Sequence, residues 1–286
     1  MTGATGFVGS RLAAALAADG MQVRALVRNR GRAGDLPYEL HEGDALEAAS
    51  LRGAGEGVTV AYYLIHSMSG GGDFSARDKD AARNFARMAR DEGIERIVYL
   101  GGLGEPRTKH LRSRHETALT LAADGPPLTY FRAAMVVGAG SESFLTLYHL
   151  TKRLPLMIEP AWVRTRTQPI GIDDVIAYLR AAPDHEPGEV QIGGPDVMSY
   201  GDMLDAVADA LGRREPVRIP VPLLTPWLSS LWVGLVTPVD VDVARPLIEG
   251  LSTETLVTDP TAAQRFGVDT QPFPATVQAA VRELAA

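Results

Sequence analysis

The sequence predicts an α/β protein with a doubly wound parallel sheet and a smaller C-terminal lobe, and three observations carry that expectation. Glycines recur at every third position of the opening ten residues (Gly3, Gly6, Gly9). Strand-like and helix-like patterns then alternate through the first half, as parallel strands joined by crossover helices require. From about residue 141 prolines accumulate and the alternation loosens, which reads as a second, loop-rich unit.

The opening Thr2-Gly3-Ala4-Thr5-Gly6-Phe7-Val8-Gly9 has the form of a dinucleotide-binding turn. Missing side chains allow a tight turn, close approach of backbone to a pyrophosphate, and close packing of the following helix. Leu12 and Leu16 recur at helical spacing and Gly20 marks the stop. Such a turn normally follows a buried central strand, so the first strand is expected to be missing and the reading frame to begin upstream of Met1.

Gln22 to Arg28 reads as the next strand, and Tyr38 to Glu42 as a short one ending at Gly43-Asp44. Val58 to Ile65 is an apolar, β-branched and aromatic run of the kind buried on both faces. Helical spacing of Phe74, Ala81, Phe85, Met88 and Ala89 predicts a helix over 73–92, stopped by Gly93. Ile94 to Leu100, a helix over 112–123 and a strand over 128–137 complete the sheet's core. Gln168 to Leu179 is expected to return to it as a short strand and a helix. The expected boundaries are 1–140 with 163–192 for the nucleotide-binding unit, and 141–162 with 193–286 for the substrate lobe.

Composition narrows the function. The chain has 286 residues, a net charge of −7 and no cysteine. Disulfides, thiolate metal sites and cysteine nucleophiles are excluded, a general nucleic-acid surface is disfavoured, and a cytoplasmic setting is expected. Val221 to Val239 is uncharged for nearly the length of a bilayer span. Its prolines favour burial in the lobe, with contact at a membrane surface as the lesser alternative.

Arg28 closes the second strand where an adenosine ribose would lie, and Arg30 and Arg32 follow, with no acidic residue from 28 to 34. A guanidinium fork suits the 2′-phosphate of NADP, whereas NAD calls for an acidic residue there. NADP(H) is therefore expected over NAD(H). Asp44, with Ala45 beside it, is placed to meet the adenine amino group or to cap the next helix. His66 and Ser67 follow the next strand, near the expected nicotinamide ribose or substrate, and His66 is a candidate acid or base.

The segments Thr-Gly-Ala-Thr-Gly-Phe-Val-Gly, Tyr-Leu-Ile-His-Ser-Met, Val-Tyr-Leu-Gly-Gly-Leu-Gly, Gln-Pro-Ile-Gly-Ile-Asp-Asp-Val and Ile-Gly-Gly-Pro-Asp resemble the atypical short-chain dehydrogenase/reductase superfamily, closest to its NmrA-like, NAD(P)H-binding branch. The resemblance spans nearly the whole chain. It implies a Rossmann fold, a nucleotide turn at Gly3, Gly6 and Gly9, and a C-terminal lobe closing over substrate, which Trp227 and Trp232, as walls of an apolar pocket, lead one to expect is a small apolar molecule. It also implies a serine and a Tyr-x-x-x-Lys pair, which this chain lacks: Gly101 and Gly102 stand where the serine is expected. The nearest replacement is His110 to Arg114, with Ser113, His115 and Glu116 in the same segment as candidates for the site. Three readings follow: an NADP(H)-dependent oxidoreductase, a non-catalytic NADP(H) sensor or assembly factor, and, more weakly, an NAD-dependent epimerase or dehydratase.

Overall fold

The computed structural model describes residues 1–65, 74–153, 156–214, 217–221 and 253–286. Its centre is a parallel sheet in which β3 (Val60–Tyr63), β4 (Arg96–Gly102), β5 (Leu128–Ala133) and β10 (Gly188–Ile192) lie side by side. β1 (Arg24–Val27) and β2 (Glu39–Glu42) form a second parallel pair. Met1 and Thr2 run between the two pieces. The Leu26 amide donates to the Met1 carbonyl (2.8 Å), and the Thr2 amide donates to the Tyr62 carbonyl (2.9 Å).

The strands are buried on both faces because helices cover both. Tyr62, Val98, Leu100 and Phe131 face α1 (Phe7–Ala18) and α6 (Ile172–Ala181), with Leu12, Val175 and Leu179 closing that layer. Their sequence neighbours Tyr63, Ile97, Tyr99 and Tyr130 face α3 (Phe74–Asp91) and α4 (Lys109–Asp124), packing on Phe85, Ala118 and Leu121. This is the period-two alternation of a strand with both sides covered. α3 ends before Gly93, whose φ of +75° closes the helix where a side chain would be strained.

Several boundaries differ from the sequence expectation. α4 begins at Lys109, three residues early, because Thr108 caps it by accepting from the Leu111 amide (3.2 Å). The 128–137 strand is broken: β5 stays in the sheet, while β6 (Val136–Val137) pairs with β9 (Ile170–Gly171). The short strand of the 168–179 segment thus leaves the main sheet, and only its helix α6 returns to it. A four-residue helix, α2 (Arg30–Ala33), lies in what reads as a basic loop, capped by the Asn29 side chain.

A second apolar cluster is built from α5 (Glu142–Arg153), α7 (Tyr200–Ala210) and α9 (Phe273–Ala285), joining Phe144, Leu147, Leu204, Val207, Phe273 and Val277. Beside it β7 (Leu156–Glu159) pairs with β12 (Val217–Pro220), and β8 (Arg166–Thr167) pairs with β11 (Met198–Ser199). The short α8 (Ala262–Phe266) belongs instead to the sheet, where Phe266 meets Phe131 with centroids 5.3 Å apart. No described helix is long and apolar enough to cross a membrane. Val221–Val239 lies, from Pro222 onward, outside the described residues.

Candidate active site

The glycine turn is fixed by contacts that exclude side chains. Gly3 has a φ of +68° and lies so close to β3's end that a Cβ on it would stand 2.9 Å from the Leu64 carbonyl oxygen. A Cβ on Gly9 would stand 2.0 Å from the Gly3 carbonyl oxygen. Buried Thr2 ties the turn to β3, its hydroxyl accepting from the Leu64 amide at 2.8 Å. No side chain caps α1, whose N-cap is Gly6, so the amides of its first turn, from Phe7 through Gly9, are free to bind an anion.

Above the turn lies a cleft of about 770 Å³, lined by Thr2 to Gly6, Arg28, Asn29 and Arg32, Asp44 to Leu46, Leu64 and Ile65, and Arg77 with Ala81 of α3. Thr2, Gly3, Thr5, Gly6, Arg28, Asp44 and Ala45 all line this cleft. Phe7, Val8 and Gly9 are not among its lining residues. Phe7's ring leaves the cleft and rests against Gly138 and Gly140, where added Cβ atoms would lie 3.0 and 3.2 Å from it. Arg11, one turn on, stacks on that ring and donates to the Ala139 carbonyl (2.9 Å) and to Glu283.

Only two of the three arginines after β1 serve the cleft. Arg30 turns back to the Leu40 carbonyl (2.7 Å). Arg28 and Arg32 line the cleft and make no ion pair among the described residues. Asp44 accepts from the Leu46 amide (3.0 Å) and its own amide donates to Ser50 (2.9 Å), so it shapes the loop as well as the wall. His66 and Ser67 lie outside the described residues.

The second group of candidates is dispersed around α4. His110 is half-buried in its first turn. Arg114 faces β4, donating to the Leu100 carbonyl with its guanidinium 5.8 Å from the Tyr99 ring centre. Ser113 is buried and donates to Asp78 of α3 (3.0 Å), while Glu116 accepts from Ser75 (3.1 Å). His115 borders a different groove, with Leu119, Pro187 and Glu189. Successive helical residues are about 100° apart, and that rotation separates Ser113 and His115 from each other and from the nucleotide cleft.

A serine at Gly101 would overlap the Tyr130 ring, and one at Gly102 would need the end of the Leu111 side chain to shift. A Cβ on Gly101 would fall 2.5 Å from the Tyr130 ring, and one on Gly102 would fall 2.6 Å from Leu111. Burial pushes the neighbouring phenols Tyr63, Tyr99 and Tyr130 up from the ordinary tyrosine range, opposed in part by Arg114 at Tyr99 and by Arg114 and Arg132 at Tyr130. Arg132 supports the same strand end. It pairs with Glu189 (2.7 Å) and donates to the Gly102 and Gly104 carbonyls, supplying the anionic partner that a strand arginine needs.

Residues 3–124 match the NAD(P)H-binding family. Over 251 residues the chain is 31% identical to a ceramide reductase of Caulobacter vibrioides, covering 82% of this chain and 78% of that protein. The chain is an atypical short-chain dehydrogenase/reductase. As expected of this family, its fold matches a nucleoside-diphosphate-sugar epimerase of Staphylococcus aureus (17% identity, TM-score 0.76, 97% of this chain and 98% of that one). It also matches the Bordetella bronchiseptica enzyme WbmH, solved with NAD+ (19%, 0.73, 99% and 97%). For this short-chain dehydrogenase/reductase a nicotinamide dinucleotide is the family's cofactor, and the cleft fits one: glycines pressed on backbone, helix amides without a side-chain cap, and Arg28 and Arg32 lining it with no ion pair among the described residues. Arg77 and Asn29 were not legible as cleft residues, because nothing in a charged helix or a basic loop marks which side chain turns inward.

Proposed function

We propose that this protein is an NADP(H)-dependent reductase acting on an apolar, long-chain carbonyl compound of the ceramide class. The observation that carries the cofactor preference is the pair Arg28 and Arg32, lining the adenosine end of the cleft with no carboxylate partner among the described residues. A 2′-phosphate would accept from both forks, while the 2′-hydroxyl of NAD would leave two cations unmatched. The substrate class rests on the ceramide reductase relative and on the uncharged sequence from Val221 to Val239.

Bound, the cofactor supplies the hydride. The chain binds and orients it through the glycine turn and the arginines. His110, at the start of a helix that Arg114 anchors to β4, is the candidate to deliver a proton to the substrate oxygen. The test is titration of NADPH and NADH by nicotinamide fluorescence. Wild type is expected to prefer NADPH, and Arg28→Gln to weaken NADPH by about tenfold to a hundredfold while leaving NADH unchanged. Equal affinity for the two cofactors would remove the preference.

A second reading, a non-catalytic NADP(H) sensor, is favoured by one observation: a serine side chain at Gly101 would overlap the Tyr130 ring. A sensor needs unequal affinity for the oxidised and reduced cofactor. Turnover of NADPH with a ceramide-class carbonyl in detergent, lost in His110→Ala with NADPH affinity retained, separates the enzyme from the sensor.

A further inference from the structure

Arg77 of α3 lines the same cleft as Arg28 and Arg32, and the adenosine end does not account for it. It is the fourth residue of α3, and Ala81 and Asn84 share its helix face at i+4 and i+7. Ala81 is buried, and the Asn84 amide donates to the carbonyls of Ala45 (3.0 Å) and Leu46 (3.2 Å). That face is therefore fixed against the cleft. β3 and β4 are parallel, so the connecting α3 runs back along the sheet. Moving from Asn84 to Arg77 thus leads from the Asp44 loop towards the strand ends, where Leu64 and Ile65 line the cleft. Leu64 is the residue against which Gly3 is pressed. Arg77 accordingly lies at the strand-end side of the cleft, is exposed, and makes no ion pair among the described residues.

The geometry points to Arg77 as the second half of the pyrophosphate site. The amides of α1 hold the anion from one side, and the Arg77 guanidinium closes on it from the other. The cleft then has two cationic poles with different tasks. Arg28 and Arg32 discriminate between cofactors, and Arg77 binds the diphosphate common to both. A planar fork suits two oxygens of a diphosphate, and the fixed helix presents it without ordering a loop. This inference rests on the nicotinamide reading of the cleft.

The experiment titrates NADPH and NADH into wild type, Arg77→Gln, Arg77→Lys and Arg28→Gln by nicotinamide fluorescence, with ADP-ribose as competitor. Arg77→Gln is expected to weaken NADPH, NADH and ADP-ribose by one common factor of about tenfold or more. Arg77→Lys restores part of the affinity, and Arg28→Gln affects NADPH alone. Melting temperatures like wild type show that the variants are folded. Unchanged binding of all three ligands in Arg77→Gln overturns the assignment while leaving the cofactor reading intact. Loss confined to NADPH also overturns it, by moving Arg77 to the ribose phosphate. Wild type that binds neither cofactor removes both readings together.

Discussion

Gly9→Ala adds one methyl group at the tightest point of the nucleotide turn. The new Cβ would stand 2.0 Å from the Gly3 carbonyl oxygen, 2.6 Å from its carbon and 3.1 Å from the Ala4 nitrogen. All three are backbone atoms, so no rotamer change relieves the contact. Reaching an ordinary separation requires the Gly3 peptide to move by about 1 Å or more. That peptide accepts from the Gly6 amide (2.9 Å), and its neighbour Thr2 is bonded to Tyr62 and Leu64. Overpacking costs about 1–3 kcal/mol, and each hydrogen bond broken adds roughly 1 kcal/mol. The expected loss is about 2–5 kcal/mol, which for a chain of this size lowers the melting temperature by roughly 5–15 °C. Calorimetry measures the shift, and fluorescence titration is expected to find cofactor binding abolished. A variant that melts with wild type and binds NADPH normally would refute the account of why glycine is required there.

Two further outcomes follow from the same contacts. Gly101→Ser, which reinstates the family's serine, is expected to destabilise the protein without raising turnover, because its side chain overlaps the Tyr130 ring; higher activity at unchanged melting temperature would show that the strand end yields. Asp174 is buried and its carboxyl is raised by desolvation, opposed by the Gln271 amide that donates to it (3.1 Å). A carboxyl raised in the folded state favours folding when protonated, and that advantage is lost as pH rises through the folded value. Wild type should therefore lose stability relative to Asp174→Asn between pH 4 and pH 7; melting curves at the two pH values giving the opposite slope would refute this.

The sheet was legible because its strands are buried on both faces and its helices carry apolar stripes, so period alone separates them. Boundaries failed where a single contact decides them: the Thr108 cap extends α4, and β6 leaves the sheet to pair with two residues of β9. The nucleotide turn was legible because glycine spacing has a backbone cause. Glu189 is the anionic partner that Arg132, an arginine within a strand, requires. The α4 candidates were not resolved by sequence, since a helix phase error of one residue turns a side chain by about 100°. Ser113 and His115 both look polar and available, yet one is bonded inside the α3–α4 interface and the other opens to a separate groove. The family's glycine-rich and acidic motifs also have structural tasks: Asp196 accepts from the Phe273 amide (2.7 Å) at the start of α9, and Gly194 lies against the Pro169 carbonyl.

The ring of Phe7 makes the first turn of the chain depend on residues that sequence distance would never associate with it. At Gly138 the ring and Ile172 already occupy the volume a side chain would need, while Gly140 both touches the ring and has a φ of +98° that a side chain would strain. A bulky substitution at either position is expected to displace the start of α1, and on the proposed reading of the cleft its symptom would be a cofactor defect originating far along the chain. Variants at 138 and 140 therefore belong, for anyone interpreting mutational scans of this protein, in the same class as variants at 3, 6 and 9.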